Sequence, residues 1–145
     1  MLFLARNKDS SSVAINSIAQ SLEISRKFLE KILVELGSEG LVSSKKGRSG
    51  GYFISKDLNN ISLADIVRIL EGPIALLPCA SHRFYEPCKE CESPDKCSLQ
   101  DALVNVRNST VHSLKSIKIS DILLNEEKLN RGILKPQRPI PFKEK

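Results

Sequence analysis

Apolar positions recur at three- and four-residue steps through the first part of the chain, and then the period changes. In INSIAQSL, Ile15, Ile18, Ala19 and Leu22 share one helical stripe. After EIS, the segment RKFLEKILVELGSEG places Phe28, Leu29, Ile32, Leu33 and Leu36 on one face. Ser25 is positioned to cap its first turn, and Gly37 and Gly40 to end it. Two helices joined by about three residues predict a helix-turn-helix. LVSS and YFIS, β-favouring runs on either side of KKGRSGG, predict a hairpin with a basic, glycine-rich tip. ISLADIVRILEG returns to the helical period, with Ser62 and Asp65 in capping-box positions and Ile66, Val67 and Leu70 facing inward. SLQDALVNVRNSTVHSLKSI, the longest helical pattern, repeats the capping signal at Ser98 and Asp101. Its Leu99, Leu103, Val106, Thr110, Leu114 and Ile117 form a narrow seam suited to a partner helix. Packing on its own chain is the competing reading, but a helix this long, beyond a winged domain, has little core left to cover.

Helix, helix, basic hairpin is the order of a winged helix-turn-helix. The expected fold is therefore mainly α: a winged helix-turn-helix domain, with a two-stranded wing, followed by a long C-terminal dimerisation helix. Proline marks the divisions. None occurs before Pro73, four fall between Pro73 and Pro94, and Pro136, Pro139 and Pro141 close the chain. The expected parts are the winged helix-turn-helix domain over 1–72, a cysteine-rich loop over 73–97, the dimerisation helix and a short closing helix over 98–124, and a disordered basic tail over 125–145.

Charge narrows the partner. Twenty-two Lys and Arg against seventeen Asp and Glu leave a net charge of +5, which favours a polyanion. In a helix-turn-helix the start of the second helix lies nearest the bases. That assigns Ser25, Arg26 and Lys27 to base edges and Lys31, one turn later, to phosphate. On the wing, Lys45 and Lys46 are placed for phosphates and Arg48 for the minor groove, while Gly47, Gly50 and Gly51 let the backbone turn tightly and approach the duplex. The bland alternative is a solvated charged face on a winged helix that binds protein. No apolar run approaches the roughly 20 residues of a membrane span, and MLFLARNKD is too short for a signal peptide. These features point to a cytoplasmic chain, in which structural disulfides are disfavoured. An enzyme is not expected: His82 and His112 are the only histidines, neither has an orienting acid at a recognisable spacing, and GRSGG lacks the features of a phosphate loop.

All four cysteines lie in CASHRFYEPCKECESPDKC, residues 79 to 97. Thiolates on a flexible, partly apolar loop suit an iron–sulfur cluster. Zinc would accept the same sulfurs, although only Cys88 and Cys91 make the short-spaced pair typical of closed zinc sites. Lys89, Lys96 and Arg83 would lower thiol pKa values and suit a redox switch.

ISRKFLEKIL, GLVSSKKGRSGGY and ISLADIVRILEG, then a cysteine loop and a long helix closing in IKISDIL, resemble the IscR/NsrR/CymR (BadM-type) winged-helix transcriptional regulators from about Ile15 to Leu124. ISRKFLE and KGRSGGY are the most specific pieces. The resemblance implies a homodimer on a palindromic operator of double-stranded DNA, with the loop sensing redox state or iron–sulfur status. It also implies an iron–sulfur cluster, [2Fe–2S] or [4Fe–4S], on Cys79, Cys91 and Cys97, with Cys88 an extra thiol and further candidate ligand, and zinc the second choice. Gln100 stands where one branch has a histidine ligand; within the loop His82 is a candidate substitute, against the reading of an ordinary surface histidine. Family members begin about a dozen residues earlier, so MLFLAR reads as the last turns of their first helix. The alternatives are a winged-helix protein-interaction module and a regulator whose loop holds structural zinc or no metal.

Overall fold

A computed structural model describes residues 1–10, 12–47, 49–89, 91 and 93–138. The elements run α1 (Leu2–Arg6), α2 (Ile15–Ser21), α3 (Arg26–Ser38), β1 (Val42–Lys45), β2 (Gly51–Ile54), α4 (Leu63–Leu70), α5 (Ser98–Ser116) and α6 (Ile119–Asn130). This is the mainly helical winged fold that the periodicity predicts. Among the described residues, no helix is long and apolar enough to cross a membrane.

The core is assembled from the helical stripes. Leu4 and Ala5, Ile18 and Ala19, and Leu29, Leu33 and Leu36 bury against Leu41, Val42, Ile61 and Ile119. The α2–α3 turn passes through Glu23 at φ 53°, a left-handed conformation normally left to glycine. Ser25 then caps α3, its hydroxyl accepting from the Phe28 amide at 3.2 Å. Two details of this helix differ from expectation. Phe28 is 56% exposed rather than buried, because it lies about 100° round the helix from Leu29 and beyond the core's edge. Gly37 does not end α3, which runs one residue further, to Ser38.

The wing pairs antiparallel, Val42 with Ile54 through to Lys45 with Gly51. Val13 adds a bridge on the other side of β2, exchanging hydrogen bonds of 2.9 and 2.8 Å with Tyr52. That bridge explains Gly51. A Cβ there would collide with the Val13 carbonyl oxygen, so only glycine admits this close approach of protein backbone. Gly51→Ala should cost about 1–3 kcal/mol, as overpacking against backbone does, and urea denaturation would read it.

Ser62 and Asp65 form the predicted capping box on α4. Burial works against the Asp65 carboxylate, but the Ser62 hydroxyl and amide outweigh it and, with Lys56 and Arg68 nearby, hold its pKa below the ordinary value. A depressed carboxylate stabilises above its unfolded pKa, 3.8 here, and that contribution disappears as pH falls through the lower folded value. Ser62→Ala should therefore cost about 1 kcal/mol near neutrality and progressively less in acid, measured by denaturation at pH 7 and pH 3.

The second half departs from the expected division. α6 does not stay with the long helix. Ile119 is buried in the winged core, its amide donates to the Ile61 carbonyl at 3.0 Å, and Arg6 forks onto Glu126 at 3.0 and 2.7 Å. The stripe Ile119, Ile122, Leu123 draws the helix back onto α1. The tail expected from residue 125 accordingly starts later, since α6 continues to Asn130; residues 139–145 of that tail lie outside the described residues. On α5 the cap is Cys97, whose sulfur accepts from the Gln100 amide at 3.4 Å, so the expected Ser98–Asp101 box does not form.

Candidate nucleic-acid interface and cysteine loop

The first turns of α3 and the far end of the wing carry the residues expected to meet DNA. The Ser25 side chain is occupied by its capping role. Arg26 is exposed and its Nε donates to Glu30 Oε1 at 2.9 Å, one turn along the same helix, a partner that sequence reading missed although the four-residue spacing signals it. Lys27, Lys31, Lys45 and Lys46 are exposed, and none of the four joins an ion pair among the described residues. Gly47 has φ 110°, and a Cβ on Gly50 would lie 2.6 Å from the Lys45 carbonyl oxygen, so both glycines are needed to close the tip. The Ser12 hydroxyl fastens the tip by donating to the Ser49 carbonyl at 2.9 Å. Arg48 lies outside the described residues. Both groups of residues project from one body, because β1 packs on α3 through Leu36, Leu41 and Val42.

The long helix separates two faces. Val111 is buried and half-buried Val104 and Arg107 share its side, where α5 leans on α4. On the predicted seam, Leu99 is 61% exposed and Val106 50%, with Thr110 and Ile117 also open; Leu103 and Leu114 are half-buried at its edge. The helix therefore packs on its own chain along one stripe and leaves a second apolar stripe uncovered.

In the loop, Cys79 sits in the 3-10 turn Pro78–Ala80 and Cys97 follows the turn Pro94–Lys96. Gln100 joins these two ends: its side-chain amide donates to the Cys79 carbonyl at 2.8 Å while its backbone amide donates to the Cys97 sulfur. It latches the loop to the start of α5. The Cys91 amide donates to the Cys88 carbonyl at 3.2 Å. All four cysteines are free thiols. Burial raises the Cys91 thiol above its ordinary pKa, the neighbouring Cys97 thiol raises it further and Cys88 adds a smaller push, against a lowering from the Ser93 backbone. For Cys91 the expected lowering by Lys89, Lys96 and Arg83 is thus reversed. Cys91 has Cys97 and Cys88 as its neighbouring thiols, whereas Cys79 is tied to Cys97 through Gln100. Among the described residues, no three Cys, His, Asp or Glu side chains surround one metal-sized point. The soft sulfur donors fit an iron–sulfur cluster or zinc in kind, and a closed site requires Cys79 or Cys88 to swing in. His82 is exposed and lines a cleft with Arg83 rather than joining the thiols.

The family model described as "Rrf2: Iron-dependent Transcriptional regulator" matches residues 1–125. An rrf2-like HTH-type regulator of Rhodobacter capsulatus is 35% identical over 119 residues, 82% of this chain and 79% of the relative. The HTH-type transcriptional regulator NsrR of Bacillus licheniformis is 28% identical over 131 residues, covering 90% and 89% of the two chains. Among solved structures, CymR (YrzC), the global cysteine regulator of B. subtilis, superposes with TM-score 0.64 at 30% identity over 83% of this chain and 84% of that one. T. potens IscR superposes with TM-score 0.67 at 25% identity over 88% and 80%.

Proposed function

The chain belongs to the Rrf2 family of iron-dependent transcriptional regulators, and from that premise we propose that it works as a homodimer on a palindromic DNA operator, with the cysteine loop as its sensor. Its named relatives are regulators, which sets the enzyme reading aside. The observation that carries the DNA reading is the set of four exposed lysines that join no ion pair among the described residues, Lys27 and Lys31 on α3 and Lys45 and Lys46 on the wing. Unpaired ammonium groups are available to replace the counterions of phosphates. Arg26 and Lys27 are assigned to base edges, with Ser25 limited to the hydroxyl proton that its cap leaves free, and the wing tip, with Gly47, Arg48 and Gly50, to the backbone and minor groove. The uncovered stripe on α5 is the second copy's seat. A two-fold axis through Leu103 and Val106 would bury that stripe against itself.

For the loop, an iron–sulfur cluster on Cys79, Cys91 and Cys97 is favoured over zinc, with Cys88 the competing ligand because it already lies beside Cys91. A bound cluster would supply a redox-active centre whose state the loop's position reports. Ordering the loop also bears on geometry, because it joins α4 to α5 and thereby the winged body to the dimer helix. Anaerobic purification with a visible spectrum and iron, sulfide and zinc analysis tests the loop. Cys91→Ser should lose the chromophore and Cys88→Ser keep it; comparable losses from all four substitutions in colourless, zinc-loaded protein would replace the cluster with zinc. Metal must displace the proton that Cys91 holds unusually firmly, so loading should weaken as pH is lowered.

A further inference from the structure

A cleft of about 640 Å³ separates the winged body from the long helix, within the roughly 300–1,000 Å³ of small-ligand sites. Leu41, Ile69 and Val111 contribute apolar lining. Three arginines from separate segments also line it: Arg68 of α4, Arg83 of the loop and Arg107 of α5. Among the described residues, none of them lies within 4.0 Å of a carboxylate oxygen. Arg107 donates to the neighbouring Asn108 side chain at 2.6 Å, which neutralises nothing.

The acids of the cleft do not remove this excess. Asp65 offsets Arg68 and Lys56 only through space, because its hydrogen bonds go to the Ser62 amide and hydroxyl at 3.0 and 2.7 Å. Glu35 lies in the last turn of α3 and Glu39 just past its end, and Lys56 adds another positive group. Guanidinium groups collected on one concave surface repel each other. Each presents a planar fork matched to a carboxylate or phosphate.

We infer that this cleft binds a small organic anion, its carboxylate or phosphate head held by Arg68, Arg83 and Arg107 and its apolar body against Ile69 and Val111. Glu35 and Glu39 select against more highly charged anions. Such an occupant would tie α4, part of the winged body, to α5. Resting on the operator-binding reading above, occupancy would therefore change operator affinity by restraining the angle between the two DNA-reading units.

The test is binding to the full chain without DNA, following arginine side-chain Nε–Hε resonances at constant ionic strength. The probes are benzoate, phenyl phosphate and neutral benzamide. At least one anion should shift the Arg68 and Arg107 signals saturably, with affinity at least tenfold above benzamide's. The tighter of the two identifies the head group as carboxylate or phosphate. Arg107→Gln should lower that affinity at least tenfold with unchanged circular dichroism, and Arg107→Lys should restore only part of it because the fork is lost. Equal response to benzamide, shifts that follow ionic strength alone, or no shift with either anion would overturn the proposal. With DNA absent from the assay, its failure leaves the operator reading standing, and failure of operator binding leaves this result intact.

Discussion

A chain carrying Leu103→Asp and Val106→Asp should be a folded monomer with operator affinity lowered by roughly 100-fold or more. Val106 is half exposed in the protomer, so nothing in the protomer requires it to be apolar. Across a two-fold axis the substitutions would face their own copies, burying four unpaired carboxylates at a cost of several kcal/mol. Each monomer would then bind one half-site without the effective concentration that linkage to its twin supplies. Light scattering reads the assembly and circular dichroism the fold. Because Leu103 is half-buried in its own chain, Val106→Asp alone is the cleaner variant should the double substitution unfold. A folded Val106→Asp chain that remains dimeric would move the interface off this stripe.

Replacing Lys27, Lys31, Lys45 and Lys46 together with alanine should lower DNA affinity by roughly 100- to 1,000-fold near 150 mM salt. The slope of log K against log salt should become shallower by about 0.9 for each phosphate that is no longer neutralised. The effect should be uniform across sequences, since phosphate contacts carry no base information. Arg26→Ala should behave differently, relaxing preference at particular positions of each half-site by about 1–3 kcal/mol. Glu30→Ala is the informative control. It releases Arg26 from its 2.9 Å ion pair, so tighter but less selective binding would show that the pair restrains Arg26 from phosphate. Unchanged binding in the lysine variant would favour the protein-interaction alternative.

Phe28, Gly51 and the loop show where sequence reading reached its limit. Phe28 satisfies the helical period on a line, yet a core has a finite width, and the position at its edge looks the same in sequence as one at its centre. Gly51 belongs to a glycine-rich wing whichever neighbour it meets, and only the approach of Val13 reveals that neighbour as protein. The cysteine spacing holds the right donors but not their distances. The pairing of Cys91 with Cys97 depends on how a proline-rich loop folds over the start of α5. The same folding carries His82 and Arg83 into a cleft that no spacing predicts.

Local chemistry was sufficient for the elements and their order. The three- and four-residue apolar steps, the cap at Ser25, the capping box at Ser62 and the glycine-rich basic turn each act within a few residues, so they can be read without the fold. Tertiary structure decided whatever joins residues distant in the chain. Ile119 pairs with Ile61 and Arg6 with Glu126, which returns α6 to the winged body. Those pairings leave α5 standing between that body and an uncovered face, with Arg107 turned toward one and Val106 toward the other. Burial depends on what the rest of the chain brings to each surface, and that is a property of the assembled molecule rather than of any segment.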